Sequence, residues 1–392
     1  MEPLTFITNL AVILLAGLVA SFLAKKLKLP NAIFLVLAGI LLGNIPFKGE
    51  PLINLPDAFI TSTALLALIM IIFDGASRLN WKEFDDMMLK SLRFVFITLI
   101  VNIVCISLFL VYVFNIGSIF TALLISIILS ATAPDLLFFM LKDSSKTLDF
   151  LKMEAVINTP ITVLLPFIII DFYNSIKLAG ISVDDFIVQI IPFLQQIVTG
   201  IGAGILVGLI VFKFLRDKYS ETYSPLLLIA GALLSYILAE NLMGNGVLAV
   251  TTLGLFFGKL TLSGKKHLQE FSTFISNFLE IIVFVMVGFI VKVNIGLEYL
   301  LLSILLYIFY IAIRFVCLYF LGNFNLKEKI FMALTSPKGI AVATVTFILA
   351  TYALPDLQFA IDLIILMLVY SILVSSVVIK FSKHFIRKKL IS

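Results

Sequence analysis

The chain has 392 residues, of which 61% are hydrophobic and 13% charged, with a net charge of +5 and only two histidines. A soluble domain runs nearer ~45–50% apolar and ~25% charged, so a single water-soluble globule is excluded. The apolar excess recurs from end to end. A helix crosses the hydrocarbon core with ~20 mostly apolar residues, and thirteen runs approach that length: 4–24, 31–47, 58–76, 92–114, 117–141, 153–173, 186–212, 223–242, 246–263, 271–293, 298–321, 329–352 and 358–381. The connections are short. No polar segment has room for a nucleotide-binding domain. The stretch from Gly258 to Gly264-Lys265-Lys266 lacks both the spacing and the Ser/Thr of a phosphate loop, so ATP-driven pumping is not expected. Met1-Glu2-Pro3 has no basic n-region, so neither is a cleaved signal peptide. Cys105 and Cys317 fall inside spans and read as small apolar packers. His267 and His384 have no second ligand at metal spacing. No metal, no cofactor and no enzyme chemistry is expected.

The basic residues fix an orientation. With the amino terminus outside, odd-numbered spans run inward, and only Lys48, Lys177 and Lys292 fall on the outer side. Arg314 and Lys338 lie within spans, and the other 23 of the 28 Lys and Arg residues gather on the inner side. This is the positive-inside signal of short loops. It predicts an external amino terminus and a cytoplasmic carboxyl terminus in a multi-pass protein of the cell membrane. The net positive charge then reports orientation, and no nucleic acid is expected as a partner.

The fifth and twelfth spans share a local pattern. One reads Thr132-Ala133-Pro134-Asp135 and the other Thr335-Ser336-Pro337-Lys338-Gly339. Each has threonine, a small residue, proline and a charge in mid-span. Proline removes a backbone donor and clashes with the carbonyl four residues back, which kinks or ends a helix. In a bilayer the freed groups need partners, so broken helices occur inside protein or beside a water-filled cavity. The copies are seven spans apart, and an odd offset makes them run in opposite directions, an inverted-topology repeat. Asp135 opens the second half-helix, where the macrodipole favours an anion. Lys338 holds the matching place, where the dipole disfavours a cation. Lys338 therefore requires a carboxylate or the carboxyl end of the opposing half-helix.

These residues resemble the monovalent cation:proton antiporters, in particular the thirteen-span sodium/proton antiporters of archaea and bacteria. Lys28-Leu29-Pro30 with Leu37-Ala38-Gly39-Ile40-Leu41-Leu42-Gly43 is similar to the family's second span. Ser130-Ala131-Thr132-Ala133-Pro134 resembles its first break, Glu154-Ala155-Val156-Ile157-Asn158-Thr159-Pro160 its sixth span, and Ser336-Pro337-Lys338-Gly339 its second break. The resemblance implies an all-α polytopic fold of 13 transmembrane helices with two broken helices that cross. It implies a dimerisation unit from 1–91 and 219–295, a core ion-translocation unit from 92–175 and 296–392, and a linker helix at 176–218. The expected assembly is a homodimer in the lipid bilayer. In the linker, Gly200, Gly204 and Gly208 at four-residue spacing permit close packing.

Two positions depart from the family pattern. Thr159 stands where the family carries its cation-binding aspartate, and Ala133 replaces the aspartate before the break proline. Thr132 and Asn158 match. Asp135, beside the break, is the replacement carboxylate, with Thr132, Asn158 and Thr159 as neutral oxygen ligands. Glu154 precedes Asn158 by four residues, about 6 Å of rise on one helix face. The resemblance gives it a structural role beside a core cation, Arg314 first and Lys338 second. Asp74, at the end of the third span, reads as a solvated cap. The function implied is exchange of a monovalent cation, sodium first, for protons. An antiporter or uniporter for another solute, or a non-transporting homologue, stays open because of Thr159.

Overall fold

The computed structural model describes residues 3–27, 31–44, 46–47, 50–51, 56–78, 86–133, 145–179, 183–259, 264–290, 296–322, 324–349 and 357–386. The helices in chain order are α1 (Pro3–Leu27), α2 (Asn31–Asn44), α3 (Asp57–Ser77), α4 (Asp86–Tyr112), α5 (Ile119–Ser130), α6 (Lys146–Ala179), α7 (Val183–Asp217) and α8 (Tyr223–Asn241). They continue with α9 (Gly246–Lys259), α10 (Lys265–Ile290), α11 (Leu297–Tyr319), α12 (Leu326–Leu334), α13 (Ile340–Leu349), α14 (Leu357–Lys380) and the single turn α15 (Ser382–Phe385). A two-residue antiparallel pair, Pro46–Phe47 with Glu50–Pro51, is the only extended pairing among the described residues. Among the described residues, nine helices are long and apolar enough to cross a membrane; α2, α5 and α9 are shorter apolar helices. The architecture is an all-α polytopic membrane fold whose twelfth span is split into α12 and α13 and whose fifth is interrupted after α5.

The chain forms two compact units, one of Met1–Leu65, Asp86–Asn158 and Leu279–Ser392, the other of Leu66–Asp85 and Thr159–Phe278. In the first, α4 packs on α5 and α11. Phe109 stacks on Phe309 at 4.9 Å between ring centroids, and Phe94 meets Phe150 at 5.6 Å. Ser107 of α4 bonds Ser126 of α5 at 3.0 Å, which gives both buried hydroxyls a partner. Helix α2 crosses the end of α10 at Gly39 and Gly288. A Cβ on Gly39 would lie 2.0 Å from the Val285 carbonyl oxygen, so only glycine lets the backbones approach this closely.

In the second unit the same device operates along α7. A Cβ on Gly204 would meet the Ala249 carbonyl at 2.3 Å, and one on Gly200 the Asn245 carbonyl at 2.6 Å. The glycine face of α7 is thus turned onto α9. Asp74 differs from its expected role as a solvated cap. It is buried, takes the Arg78 guanidinium at 2.7 Å and accepts from the Thr273 hydroxyl at 3.2 Å. The reason is the close approach of α10, which shields the carboxylate from water and supplies a donor in its place.

Helix α6 begins earlier than hydropathy suggests. Ser145 caps it, with its hydroxyl accepting from the Leu148 amide at 3.2 Å. The polar turn that follows is helical although it is not apolar. Glu154 therefore lies about two turns inside the helix and does not open it.

Candidate functional site

Both broken spans are set up locally by capping. Ser118 accepts from the Thr121 amide at 3.3 Å and starts α5. At its far end Ala131 turns extended (φ −64, ψ 146) and ends it. In the other copy, Asn325 and Glu328 form a reciprocal capping box that starts α12, and Thr335 leaves the helix at φ −101, ψ 73. Residues 335–339 are non-helical, and α13 resumes with the Ala343 amide bonded to the Gly339 carbonyl at 3.2 Å. The two extended stretches meet. The Ala133 amide donates to the Pro337 carbonyl at 2.7 Å, a backbone bond across the crossing point.

A helix end leaves its last carbonyls without intrahelical partners, and here side chains from elsewhere take them. The Lys338 ammonium donates to the Leu129 carbonyl and to the Ala131 carbonyl at 3.2 Å. The Asn158 amide donates to the Ser130 carbonyl at 2.8 Å and to the Thr132 hydroxyl at 3.0 Å. Three successive carbonyls at the carboxyl end of α5 are therefore satisfied by two residues of distant spans. The cation also lies at the negative end of the α5 dipole, where it is favoured. Below it is the ring of Tyr310, with its centroid 4.1 Å from the ammonium, a cation–π seat. The Lys338 backbone is tied separately, by its amide to the Ser371 hydroxyl at 3.0 Å.

The carboxyl end of α12 has a cation too. The Arg314 guanidinium donates through Nε to the Met332 carbonyl at 3.1 Å and holds both Glu154 oxygens, at 2.8 and 2.6 Å. This bidentate pair uses the planar fork of arginine fully. The Phe94 ring lies 5.5 Å from the guanidinium carbon. Thr132, Asn158, Thr159, Glu154, Arg314 and Lys338 are each at most 4% exposed, so water neither screens these charges nor replaces a lost partner.

The structure brings together Thr132 with Asn158, Glu154 with Arg314, and Lys338 with the end of α5. Thr159 follows Asn158 on α6, buried, with its carbonyl accepting from the Thr162 hydroxyl at 3.3 Å. Asp135 lies outside the described residues. Sequence reasoning did not single out Tyr310 or Ser371. Tyr310 stands four residues before Arg314 on one helical face, a signal that helical spacing carries. Ser371 had none. Among the described residues no group of three or more His, Cys, Asp or Glu is placed to hold a metal ion.

Opposed broken helices that cross inside a membrane bundle, with buried charge at their ends, define a secondary transporter. The transmembrane sodium/hydrogen exchanger family matches residues 10–382, nearly the whole chain, and the chain belongs to that family, which is one of transporters. It is 21% identical over 373 residues to the probable Na(+)/H(+) antiporter 2 of Methanocaldococcus jannaschii, covering 90% of this chain and 86% of that protein. It is 24% identical over 344 residues to the K(+)/H(+) antiporter NhaP of Alkalimonas amylolytica, covering 84% of this chain and 58% of that one. The solved structure of the sodium proton antiporter MjNhaP1 from Methanocaldococcus jannaschii at pH 8 superposes with a TM-score of 0.78 at 20% identity, over 96% of this chain and 100% of that one. The likeness carries the thirteen-span fold.

Proposed function

We propose that this protein exchanges a monovalent cation, sodium first, for protons across the cell membrane. The observation that carries this reading is the crossing point itself, in a chain of the sodium/hydrogen exchanger family. Two half-helices of opposed copies meet there, and the ends of both are held by buried cations. The carboxylate that alternates between cation and proton is Asp135. Thr132, Asn158 and Thr159 supply neutral oxygens, which suit a hard cation. Competition for one carboxylate enforces exchange without any bond being made or broken, so no enzymatic step is involved. Glu154 and Arg314 hold the core together. The core unit is 92–175 with 296–392, moving against a homodimer formed through 1–91 and 219–295. The amino terminus is outside and the carboxyl terminus cytoplasmic, as the basic loops require.

The test is dye-reported proton movement in sealed proteoliposomes on adding sodium, potassium or lithium salts. A sodium-dependent proton flux supports the reading. A potassium-dependent flux alone moves the assignment to potassium, which the relative named a K(+)/H(+) antiporter favours. No flux with any salt in a folded preparation overturns exchange in favour of a homologue that has lost transport, the reading that Thr159 favours.

A further inference from the structure

A basic cavity of about 740 Å³ lies where α15 meets the start of α12. Lys327, Lys383, His384 and Asn325 supply its polar lining, and Leu326 and Phe385 its apolar wall. All three basic side chains are exposed, and none pairs with a carboxylate among the described residues. The acid in the first turn of α12, Glu328, is turned back onto the Asn325 amide at 2.9 Å as part of the capping box. That contact offsets some of the positive end of α12, so the side chains, not the helix terminus, carry the charge. Unpaired lysines gathered around a cavity with an apolar wall call for an anion attached to something greasy. Depth points the same way. Helix α14 is long and apolar enough to cross a membrane and ends at Lys380, and Lys383 of the cavity follows three residues later, which a span ending there would carry to the lipid headgroups. Leu326 in its wall is 58% exposed. Basic pockets at this depth and on the lysine-rich side bind anionic headgroups.

We propose that this cavity holds the phosphate of an anionic phospholipid, bound by Lys327, Lys383 and His384. The acyl chains run outward past Leu326 and Phe385. A free phosphate offers the same charge but has nothing to place against the apolar wall.

The experiment measures thermal unfolding of the full chain in detergent with phosphatidylglycerol, phosphatidylcholine or inorganic phosphate added. Phosphatidylglycerol should raise Tm by several degrees more than phosphatidylcholine, and inorganic phosphate should not reproduce the gain. The triple variant Lys327→Gln, Lys383→Gln, His384→Gln should lose at least half of that lipid-specific gain. Equal shifts with both lipids, an undiminished shift in the variant, or a full shift with inorganic phosphate would each overturn the proposal. Should the variant not fold, the native chain decides. A photoactivatable phosphatidylglycerol must label the peptide that contains Lys383 and His384, and labelling only elsewhere overturns the site.

Discussion

The Lys338 ammonium and the Ala131 carbonyl are 3.2 Å apart, although 207 residues separate them in the chain. A cation of the second repeat thus closes the carboxyl end of the first repeat's broken helix. The same ammonium also takes the Leu129 carbonyl, so the crossing is fixed by donors the proline-broken backbone does not itself provide. Two effects of opposite sign follow from removing it. A buried charge disappears, which relieves desolvation. Two buried carbonyls also lose their donor, at about 1–3 kcal/mol each. The second effect is larger, because the dipole and the Tyr310 ring already compensate the charge. Lys338→Met should therefore lower Tm in detergent by several degrees. Lys338→Arg, which keeps a cation and several donors, should recover at least half of the loss. Equal losses in both variants would show that shape, not donation, is what matters at this position.

Tyr310 offers a cleaner separation of ring from hydroxyl. Its ring is the seat for the ammonium at 4.1 Å, and such contacts contribute about 2 kcal/mol when desolvated. Tyr310→Phe retains the face and removes a buried hydroxyl that makes no hydrogen bond among the described residues, so stability should stay within about 1 kcal/mol of the native protein. Tyr310→Leu loses the face and should cost at least 1.5 kcal/mol more, as read by thermal unfolding. If Phe and Leu were equally damaging, the hydroxyl would be the essential group.

The bidentate pair of Glu154 and Arg314 is expected to be strongly coupled. Removing one partner leaves the other charged and buried, which costs about 3–5 kcal/mol in soluble proteins. Glu154→Gln and Arg314→Gln should each lower thermostability strongly, and the double variant should recover part of the loss. The Met332 carbonyl, which takes Arg314 Nε at 3.1 Å, stays unpaired in any Arg314 variant, so recovery should be incomplete. Purely additive losses would show that the pair contributes no coupling energy.

Parts of this arrangement were legible in the sequence and parts were not, for physical reasons. The breaks are written locally, because proline and glycine beside a charge in an apolar run permit few conformations. Charges are scarce inside the spans, so Glu154, Arg314 and Lys338 stand out, and parity of charge suggests who meets whom. That Lys338 is held by backbone carbonyls is different. The sequence left a carboxylate and a helix end as equal possibilities, and only the crossing geometry decides between them. Asp74 was misread because burial by α10 comes from a helix almost 200 residues away. The start of α6 was missed because hydropathy reports the membrane-crossing part of a helix, whereas Ser145 caps a polar turn that precedes it.

Thr159 is one of the two positions at which the sequence is expected to depart from the antiporters it resembles, and an acid there tests what the threonine does. Thr159→Asp places a carboxylate next to Asn158, whose amide is already committed to Ser130 and Thr132. We expect sodium-dependent proton flux in vesicles to be created or strengthened. If the substitution abolishes flux that the native protein has, the site has been rebuilt around a neutral residue at 159.

The last prediction concerns Asp135, which the exchange reading requires. Of the core residues the sequence singled out, Glu154 is fully engaged by Arg314 at 2.8 and 2.6 Å. A carboxylate clamped by a bidentate arginine is a poor alternating ligand, since releasing it to a cation would strand the guanidinium in a buried place. Glu154 is therefore excluded as the carrier on energetic grounds. Lys338 is a donor without an acceptor atom in its side chain, and it occupies the end of α5 rather than a cation. An acid beside the break is still needed, because charge compensation and proton competition must come from one group. Asp135 stands two residues after Ala133, whose amide makes the backbone bond at the crossing. Asp135→Asn keeps the size and removes the titration. Flux should vanish with every salt, while Tm and the size-exclusion profile stay close to native. Asp135→Glu should retain a measurable fraction of the flux, which a purely structural aspartate would not predict. A folded Asp135→Asn protein that exchanges normally would refute the assignment.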